Sequence, residues 1–138
     1  MNRVIPPSNF APILKPTFRR VDRRGTFLEA LNERRWGSLL YGEMKRGAVL
    51  GNHYHKKTAV FFFLTHGAAQ VQWIHPQTRK RVHRALKSQE GIFLEPPFAH
   101  AIKFLRDSSF IMLKSRRYDK ARPDTYPHAV FKELRPRR

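Results

Sequence analysis

Short runs of apolar residues, separated by turn-forming residues, make up most of this chain. Residues 59–65 are continuously apolar up to a final threonine, which is typical of a strand buried on both faces. Residues 69–73 alternate between apolar and glutamine side chains, the period of a strand with one buried face. Residues 99–105 alternate again and place His100 on an apolar face. The centre of the chain is therefore predicted to be a series of β-strands.

Weaker patterns extend this prediction toward both ends. Further strands are predicted over residues 17–21, 37–44, 80–86, 92–95 and 109–115, and residues 26–31 fit either a strand or a short helix. Short strands with turn signals between them favour an all-β sandwich or barrel. The length of 138 residues suits a single domain over 1–138. Its core is expected at about 17–116, between a proline-rich N-terminal arm and a C-terminal tail.

The formal net charge of +18 is large for a chain of this length. It divides as +6, +7 and +5 over residues 1–46, 47–115 and 116–138, so no short segment concentrates it. A basic surface attracts polyanions, but this spread favours a generally basic surface without a single partner. Nucleic acid is not an expected partner, because most aromatic residues fall in core-like strands rather than on a basic face.

Other bulk features narrow the setting in which the protein acts. The chain has no cysteine, which excludes disulfides and thiolate chemistry. No apolar run approaches the length of a membrane span, and the N-terminus lacks the apolar block of a signal peptide. We therefore expect a cytoplasmic protein that does not enter a membrane.

Three histidines are the strongest chemical signal in the sequence. His53 and His55 are two residues apart, so on an extended segment both imidazoles point to one side. His100 follows the Pro96-Pro97 pair on a predicted core face. Three convergent imidazoles form a usable metal triad, and without metal they serve as acid and base near neutral pH. A core histidine bonded to a backbone carbonyl is the alternative for any one of them.

These histidines lie in segments that resemble the two sequence motifs of the cupins. The first motif is matched by Gly47, His53, His55 and Gly67, and the second by Gly91, Pro96, Pro97 and His100. The resemblance implies an all-β cupin fold, a double-stranded β-helix or jelly-roll barrel. It also implies a divalent metal inside that barrel.

The resemblance implies that His53, His55 and His100 are metal ligands, with zinc, iron, nickel or manganese as the candidate ions. The ligand set is incomplete, because Ala59 stands where the family has a glutamate. Three ligands with an open position remain an acceptable catalytic arrangement. His66 and Glu95 are weaker candidates for the fourth ligand, and complete loss of the metal is a further alternative.

Three other segments resemble one cupin branch in the same order along the chain. They are residues 22–29, 51–55 and 118–126, the last containing Arg122-Pro123-Asp124-Thr125-Tyr126. The branch is the C-terminal domain of capsular-polysaccharide nucleotide-sugar reductases, and sugar-nucleotide 3,5-epimerases and 3,4-ketoisomerases are more distant relatives. The likeness implies epimerisation or ketoisomerisation of a nucleotide-activated keto-sugar in cell-envelope polysaccharide biosynthesis.

This resemblance also implies roles for individual residues. His53 corresponds to the histidine base of the epimerases, and Tyr41 resembles the tyrosine that accompanies paired histidines in the ketoisomerases. Arg24, Phe27 and Glu29 resemble an element that binds the nucleotide sugar, often across a dimer. Lys57 belongs to a set of basic residues that fits the diphosphate, namely Lys56, Lys57, Arg79, Lys80, Arg81 and Lys103.

The expected partners are a small-molecule nucleotide sugar, a second copy of the chain in a homodimer, and a separate reductase polypeptide. One alternative is a non-catalytic metal- or sugar-binding cupin that supports a partner enzyme. Ala59 favours it, as does Leu50, which stands where related cupins often carry arginine. A metal-dependent cupin acting on a small acid is another alternative, because a fold does not determine its chemistry.

Overall fold

The computed structural model describes residues 11–131, which form eleven β-strands and no helix. The strands are β1 (Phe18–Asp22), β2 (Gly25–Glu29), β3 (Ser38–Met44), β4 (Val49–Tyr54), β5 (Val60–His66), β6 (Ala68–Ile74), β7 (Arg81–Lys87), β8 (Glu90–Leu94), β9 (Ala99–Phe104), β10 (Ser108–Lys114) and β11 (Tyr126–Pro127). No helix in this part of the chain is long and apolar enough to cross a membrane.

The strands form two antiparallel sheets that enclose the core. One has the order β3-β10-β5-β8, and the other has the order β11-β4-β9-β6-β7. Consecutive strands often lie in different sheets, as in a jelly roll. The predicted all-β jelly-roll architecture is confirmed. Strands β1 and β2 form a separate hairpin, paired from Phe18 with Glu29 to Asp22 with Gly25.

The core lies between the sheets and is rich in aromatic side chains. Val60–Leu64 of β5 are all buried, which explains the continuous apolar run of that strand. Phe62 of β5 meets Phe104 of β9 and Phe110 of β10, with ring centroids 6.3 and 5.1 Å apart. Strand β6 alternates buried and half-buried residues, so the period-two pattern marks a sheet with one face on the core.

Most predicted strands are confirmed to within two residues, and the ambiguous segment 26–31 is strand β2. The predicted N-terminal arm lies largely outside the described residues, but Leu14 exchanges backbone hydrogen bonds with Gly91. The sequence of the tail after residue 116 has no periodicity that would predict a strand. Nevertheless, its segment β11 adds a short strand beside β4, with Tyr126 opposite Tyr54.

Candidate functional site

A bulge in β4 sets the direction of the first two histidines. Gly51 and Asn52 have φ angles of +105° and +58°, and the register with β9 shifts between Gly51 and His53. A Cβ on Gly51 would lie 2.8 Å from the carbonyl oxygen of His100, so only glycine fits there. The assumption of a uniformly extended segment 52–55 is therefore wrong. The bulge nevertheless leaves the rings of His53 and His55 on one side.

The fold brings the three histidines together inside the barrel. His53 lies opposite His100 in the β4–β9 register, and its ring centroid is 4.9 Å from those of both His55 and His100. The rings of His55 and His100 are 5.4 Å apart. His55 and His100 are only 4% and 3% exposed, whereas His53 is half-buried. The predicted convergence of two sequence-distant motifs is therefore present.

Burial keeps these imidazoles uncharged. Desolvation lowers the pKa of His53 to about 4, with further contributions from the charge that His55 would carry when protonated and from the charge of Lys114. Desolvation also lowers the pKa of His55 and takes the pKa of His100 well below its usual value. At neutral pH the cluster is therefore three neutral imidazoles, which is the form needed both for metal ligation and for accepting a proton.

The donor atoms of the cluster fit a divalent metal. One ring nitrogen of each histidine lies within 4.8 Å of the other two. Nε2 of His55 and Nδ1 of His100 are buried and have no hydrogen-bond partner among the described residues. Within residues 11–131 this metal-ligand cluster contains only the three histidines. His66 is exposed at the end of β5, and Glu95 pairs with Arg34 at 2.7 Å, so neither joins the cluster.

Lys114 is a site residue that the sequence reasoning missed. It ends β10 on the same face as Phe110 and Met112, and its charge lowers the pKa of all three histidines. Desolvation lowers its own pKa, and within residues 11–131 no salt bridge joins it to a carboxylate. A charged residue at a core-facing position of an alternating strand is a sequence signal for such a group.

A cavity of about 260 Å³ lies next to the histidines. Its walls are mainly apolar, and they include Leu50, Val60, Ile102, Phe110 and Met112 together with the three histidines and Lys114. We call it the barrel cavity. Tyr41 borders the cavity from β3, but it pairs with Ile111, so its side chain is on the outer face of the sheet. The hydroxyl of Tyr41, which is 62% exposed, donates to Oε1 of Glu43 at 2.8 Å. That bond raises the pKa of Tyr41, with smaller contributions from burial and the charge of Glu43, so the phenol remains protonated.

The structure does not bring Arg24, Phe27 and Glu29 to the histidines within one chain. All three lie on the β1–β2 hairpin, and none lines the barrel cavity. Arg24 binds Asp22 at 2.7 Å, and Glu29 accepts a 2.8 Å hydrogen bond from Thr17. Phe27 is 63% exposed. A role for these residues at the histidine site therefore requires the hairpin of another copy of the chain.

Lys57 lies outside the barrel cavity, on a loop held by the C-terminal tail. The carboxylate of Asp124 accepts hydrogen bonds from the backbone N–H groups of Lys56, Lys57 and Thr58 and from the Thr58 hydroxyl, all at 2.8–2.9 Å. Desolvation opposes ionisation of Asp124, but these bonds outweigh it and lower its pKa to about 2. The backbone oxygen of Asp124 is also 2.5 Å from Nδ1 of His55. The motif at 122–126 thus fixes the loop that follows the first two histidines.

Comparison with known proteins agrees with this architecture. The family model described as polysaccharide biosynthesis C-terminal domain matches residues 20–126. The capsular polysaccharide assembling protein CapF from Staphylococcus aureus is similar in structure, with 25% identity and a TM-score of 0.65. The match covers 91% of this chain but 35% of CapF, so the chain spans about a third of that protein. Among curated proteins, a sequence search finds no match.

Two enzyme structures share the fold at lower identity. One is a dTDP-4-dehydrorhamnose 3,5-epimerase from Sulfolobus tokodaii, with 22% identity, a TM-score of 0.69, and coverage of 79% of this chain and 72% of the epimerase. The other is a double mutant of the QdtA 3,4-ketoisomerase from Thermoanaerobacterium thermosaccharolyticum in complex with TDP, with 18% identity and a TM-score of 0.67. The match covers 83% of this chain and 85% of the ketoisomerase.

Proposed function

The chain belongs to the family of polysaccharide biosynthesis C-terminal domains, and from that membership we propose that it epimerises or ketoisomerises a nucleotide-activated keto-sugar. The observation that carries the proposal is the neutral His53 imidazole at the wall of a sugar-sized cavity that Lys114 also lines. Tyr41 is not on that wall, because it pairs with Ile111 on the outer face of its sheet. Base, acid and positive charge are the three elements needed to move a proton beside a ketone.

Each residue has one step in this reaction. The His53 imidazole takes the proton from the carbon beside the ketone, and the electrons move onto the ketone oxygen as an enolate. The Lys114 ammonium stabilises that negative charge in a poorly solvated site, where an electrostatic interaction is stronger than in water. Water at the mouth of the cavity returns a proton to give the rearranged sugar, because the Tyr41 phenol expected as the acid is bonded to Glu43 on the outer face of β3.

In the alternative state with a divalent metal bound, His53, His55 and His100 would hold the ion, with zinc, iron, nickel and manganese as candidates, and His53 would then be a ligand rather than the base. The buried, unpaired Nε2 of His55 and Nδ1 of His100 support this assignment, as does the convergence of all three rings. A bound metal polarises a carbonyl oxygen as a Lewis acid. The ammonium of Lys114 supplies positive charge to the same space.

The loss of kcat/KM at acidic pH is expected to follow the protonation of His53. The imidazole acts as a base only when neutral, and its pKa of about 4 keeps it neutral down to mildly acidic pH. We therefore expect kcat/KM to stay level from pH 7 to 5 and to fall as pH approaches 4. A profile that falls with a midpoint near 6.5 would show an unshifted histidine. Circular dichroism at each pH separates loss of activity from loss of fold.

A homodimer is proposed because two exposed apolar surfaces lie on the hairpin and on β3. The first includes Phe18 and Phe27, whose rings touch on one face of the hairpin, and the second includes Leu39 and Tyr41 on a strand at the edge of its sheet. A partner's hairpin lying along β3 would cover both and bring Arg24, Phe27 and Glu29 toward the barrel cavity.

Charged substitutions test this dimer. Phe27→Asp or Leu39→Asp is expected to convert the dimer to monomers, since each places a carboxylate in the proposed apolar contact. Light scattering during size-exclusion chromatography measures the mass of each variant. Leu105→Asp is the matched control, because Leu105 is 43% exposed and lies on neither surface. A wild-type chain that stays monomeric at every protein concentration measured would refute the dimer.

The second candidate function is a non-catalytic sugar-binding cupin that supports a separate reductase. Ala59 at the expected glutamate position favours it. Such a protein would bind keto-sugar nucleotides without converting them. Co-purification or cross-linking with a reductase encoded nearby tests the partnership.

Product analysis separates the two candidates. The purified chain is incubated with a nucleotide-linked 4-keto-6-deoxy sugar, and the sugar is analysed by NMR for inverted centres or a moved ketone. The catalytic proposal predicts conversion at a rate proportional to the concentration of protein. Binding without conversion favours the non-catalytic sugar-binding cupin. Absence of binding at millimolar ligand contradicts both candidate functions.

A further inference from the structure

Building on the proposed keto-sugar substrate, we propose that its diphosphate binds in a second cavity, formed by residues 55–58 and the tail 114–126. This cavity, which we call the tail cleft, has a volume of about 480 Å³. It lies outside the barrel, and two residues, His55 and Lys114, line both cavities. A ligand with its sugar ring among the histidines would therefore place the adjoining group in the tail cleft.

The charge of the tail cleft is strongly positive. Its cationic lining residues are Lys56, Lys57, Lys114, Arg116, Arg117 and Arg122. Only two carboxylates, Asp119 and Asp124, line the same space. Six positive and two negative groups give a formal charge of +4 around one concave site. A cleft lined by one sign of charge concentrates counter-ions of the other sign.

Both carboxylates already accept hydrogen bonds from neighbouring residues of the chain. Asp124 accepts the four hydrogen bonds from residues 56–58, and Asp119 accepts one from the backbone N–H of Ala121 at 2.9 Å. No salt bridge within residues 11–131 involves Arg116, Arg117 or Arg122. The guanidinium groups thus retain their donors for a ligand, and their planar fork matches phosphate oxygens.

The barrel cavity itself has no place for a diphosphate. Its walls are apolar apart from the histidines and Lys114, and no arginine lines it. Leu50 occupies the position where related cupins often carry an arginine. Transferring a multiply charged group into such an environment without paired donors is costly. The chemistry of the two cavities therefore favours binding of the sugar in the barrel cavity and of the diphosphate in the tail cleft.

The walls of the tail cleft are held in place before any ligand binds. The ammonium of Lys56 lies 4.4 Å from the centre of the Tyr126 ring. Oδ1 of Asn52 accepts hydrogen bonds from the backbone N–H groups of Val130 and Phe131 at 2.9 and 3.0 Å. These contacts fix the tail against β4 and the following loop. A site whose donors are already fixed loses less entropy on binding.

Calorimetric titration with thymidine diphosphate and with inorganic pyrophosphate tests the tail cleft directly. The double substitution Arg116→Ala/Arg122→Ala is expected to weaken binding of both ligands at least tenfold. Lys87→Ala/Arg106→Ala removes the same charge from exposed positions at the end of β7 and in the turn after β9, away from both cavities, and is expected to change binding less than twofold. Pyrophosphate should compete with thymidine diphosphate, and thymidine alone should not bind.

Equal weakening by the two double variants would overturn the proposal, since it would mean diffuse attraction to a basic protein. Unchanged binding in the Arg116→Ala/Arg122→Ala variant would overturn it as well. These outcomes are independent of the proposed reaction. Binding of thymidine diphosphate at the cleft without sugar conversion removes the reaction but keeps the cleft. Conversion that is unaffected by the arginine variant keeps the reaction but removes the cleft.

Discussion

His53→Ala is expected to lower turnover of a nucleotide-linked keto-sugar by about a hundredfold to ten-thousandfold, the usual contribution of a positioned general base. The imidazole of His53 is neutral and lines the barrel cavity, so its removal leaves the substrate proton without an acceptor. Steady-state product formation measures the effect. KM should change much less than kcat, because the base acts on the transition state rather than on substrate binding.

His83→Ala provides the matched control for this substitution. His83 is exposed on β7 and lines none of the cavities described above, so its loss should leave turnover unchanged. Thermal unfolding of both variants shows whether each keeps its fold. Full turnover by a folded His53→Ala protein would remove His53 from the mechanism.

Asp124→Ala is expected to lower the free energy of unfolding by about 2–4 kcal/mol. The substitution removes one acceptor from three backbone N–H groups and one hydroxyl, and hydrogen bonds to a charged group contribute about 1.5–3 kcal/mol each when well shielded. Partial exposure of Asp124 lets water replace some of them, which reduces the total. Urea denaturation measures the change.

Asp124→Asn tests whether charge or shape holds the loop. Its single side-chain oxygen replaces only part of the acceptor set, so an intermediate loss of stability is expected. The low pKa of Asp124 means that its stabilisation is present above pH 3.8 and is lost as pH falls toward 2. A difference between wild type and Asp124→Ala that is unchanged at pH 2 would contradict this account.

The strands of the core were predictable because burial imposes a simple pattern. Strand β5 packs on both faces and is continuously apolar, while β6 buries one face and alternates. The inward position of His100 was predictable from the same rule, because His100 shares its face with buried Ile102 and Phe104. The resemblance to the two cupin motifs then indicated the fold that brings the segments of His53 and His100 together.

Features that depend on backbone detail or tertiary contact were not predictable. The bulge at Gly51 and Asn52 requires left-handed φ angles that no periodicity reveals. The tail strand β11 contains only two residues, one of them proline, and it forms through contacts with β4 and Asn52. The β1–β2 hairpin lies away from the histidines of its own chain. This distance depends on the tertiary fold, which local sequence patterns do not predict.

Exchange of deuterium from solvent tests the central claim, that this site moves a proton beside a sugar ketone. The protein is incubated in deuterium oxide with a nucleotide-linked 4-keto sugar, and NMR follows loss of the proton signal next to the ketone. The account predicts exchange catalysed by the wild type and by His83→Ala, and at least a hundredfold slower exchange by His53→Ala. Absence of exchange in a wild-type protein that binds the sugar nucleotide would contradict it.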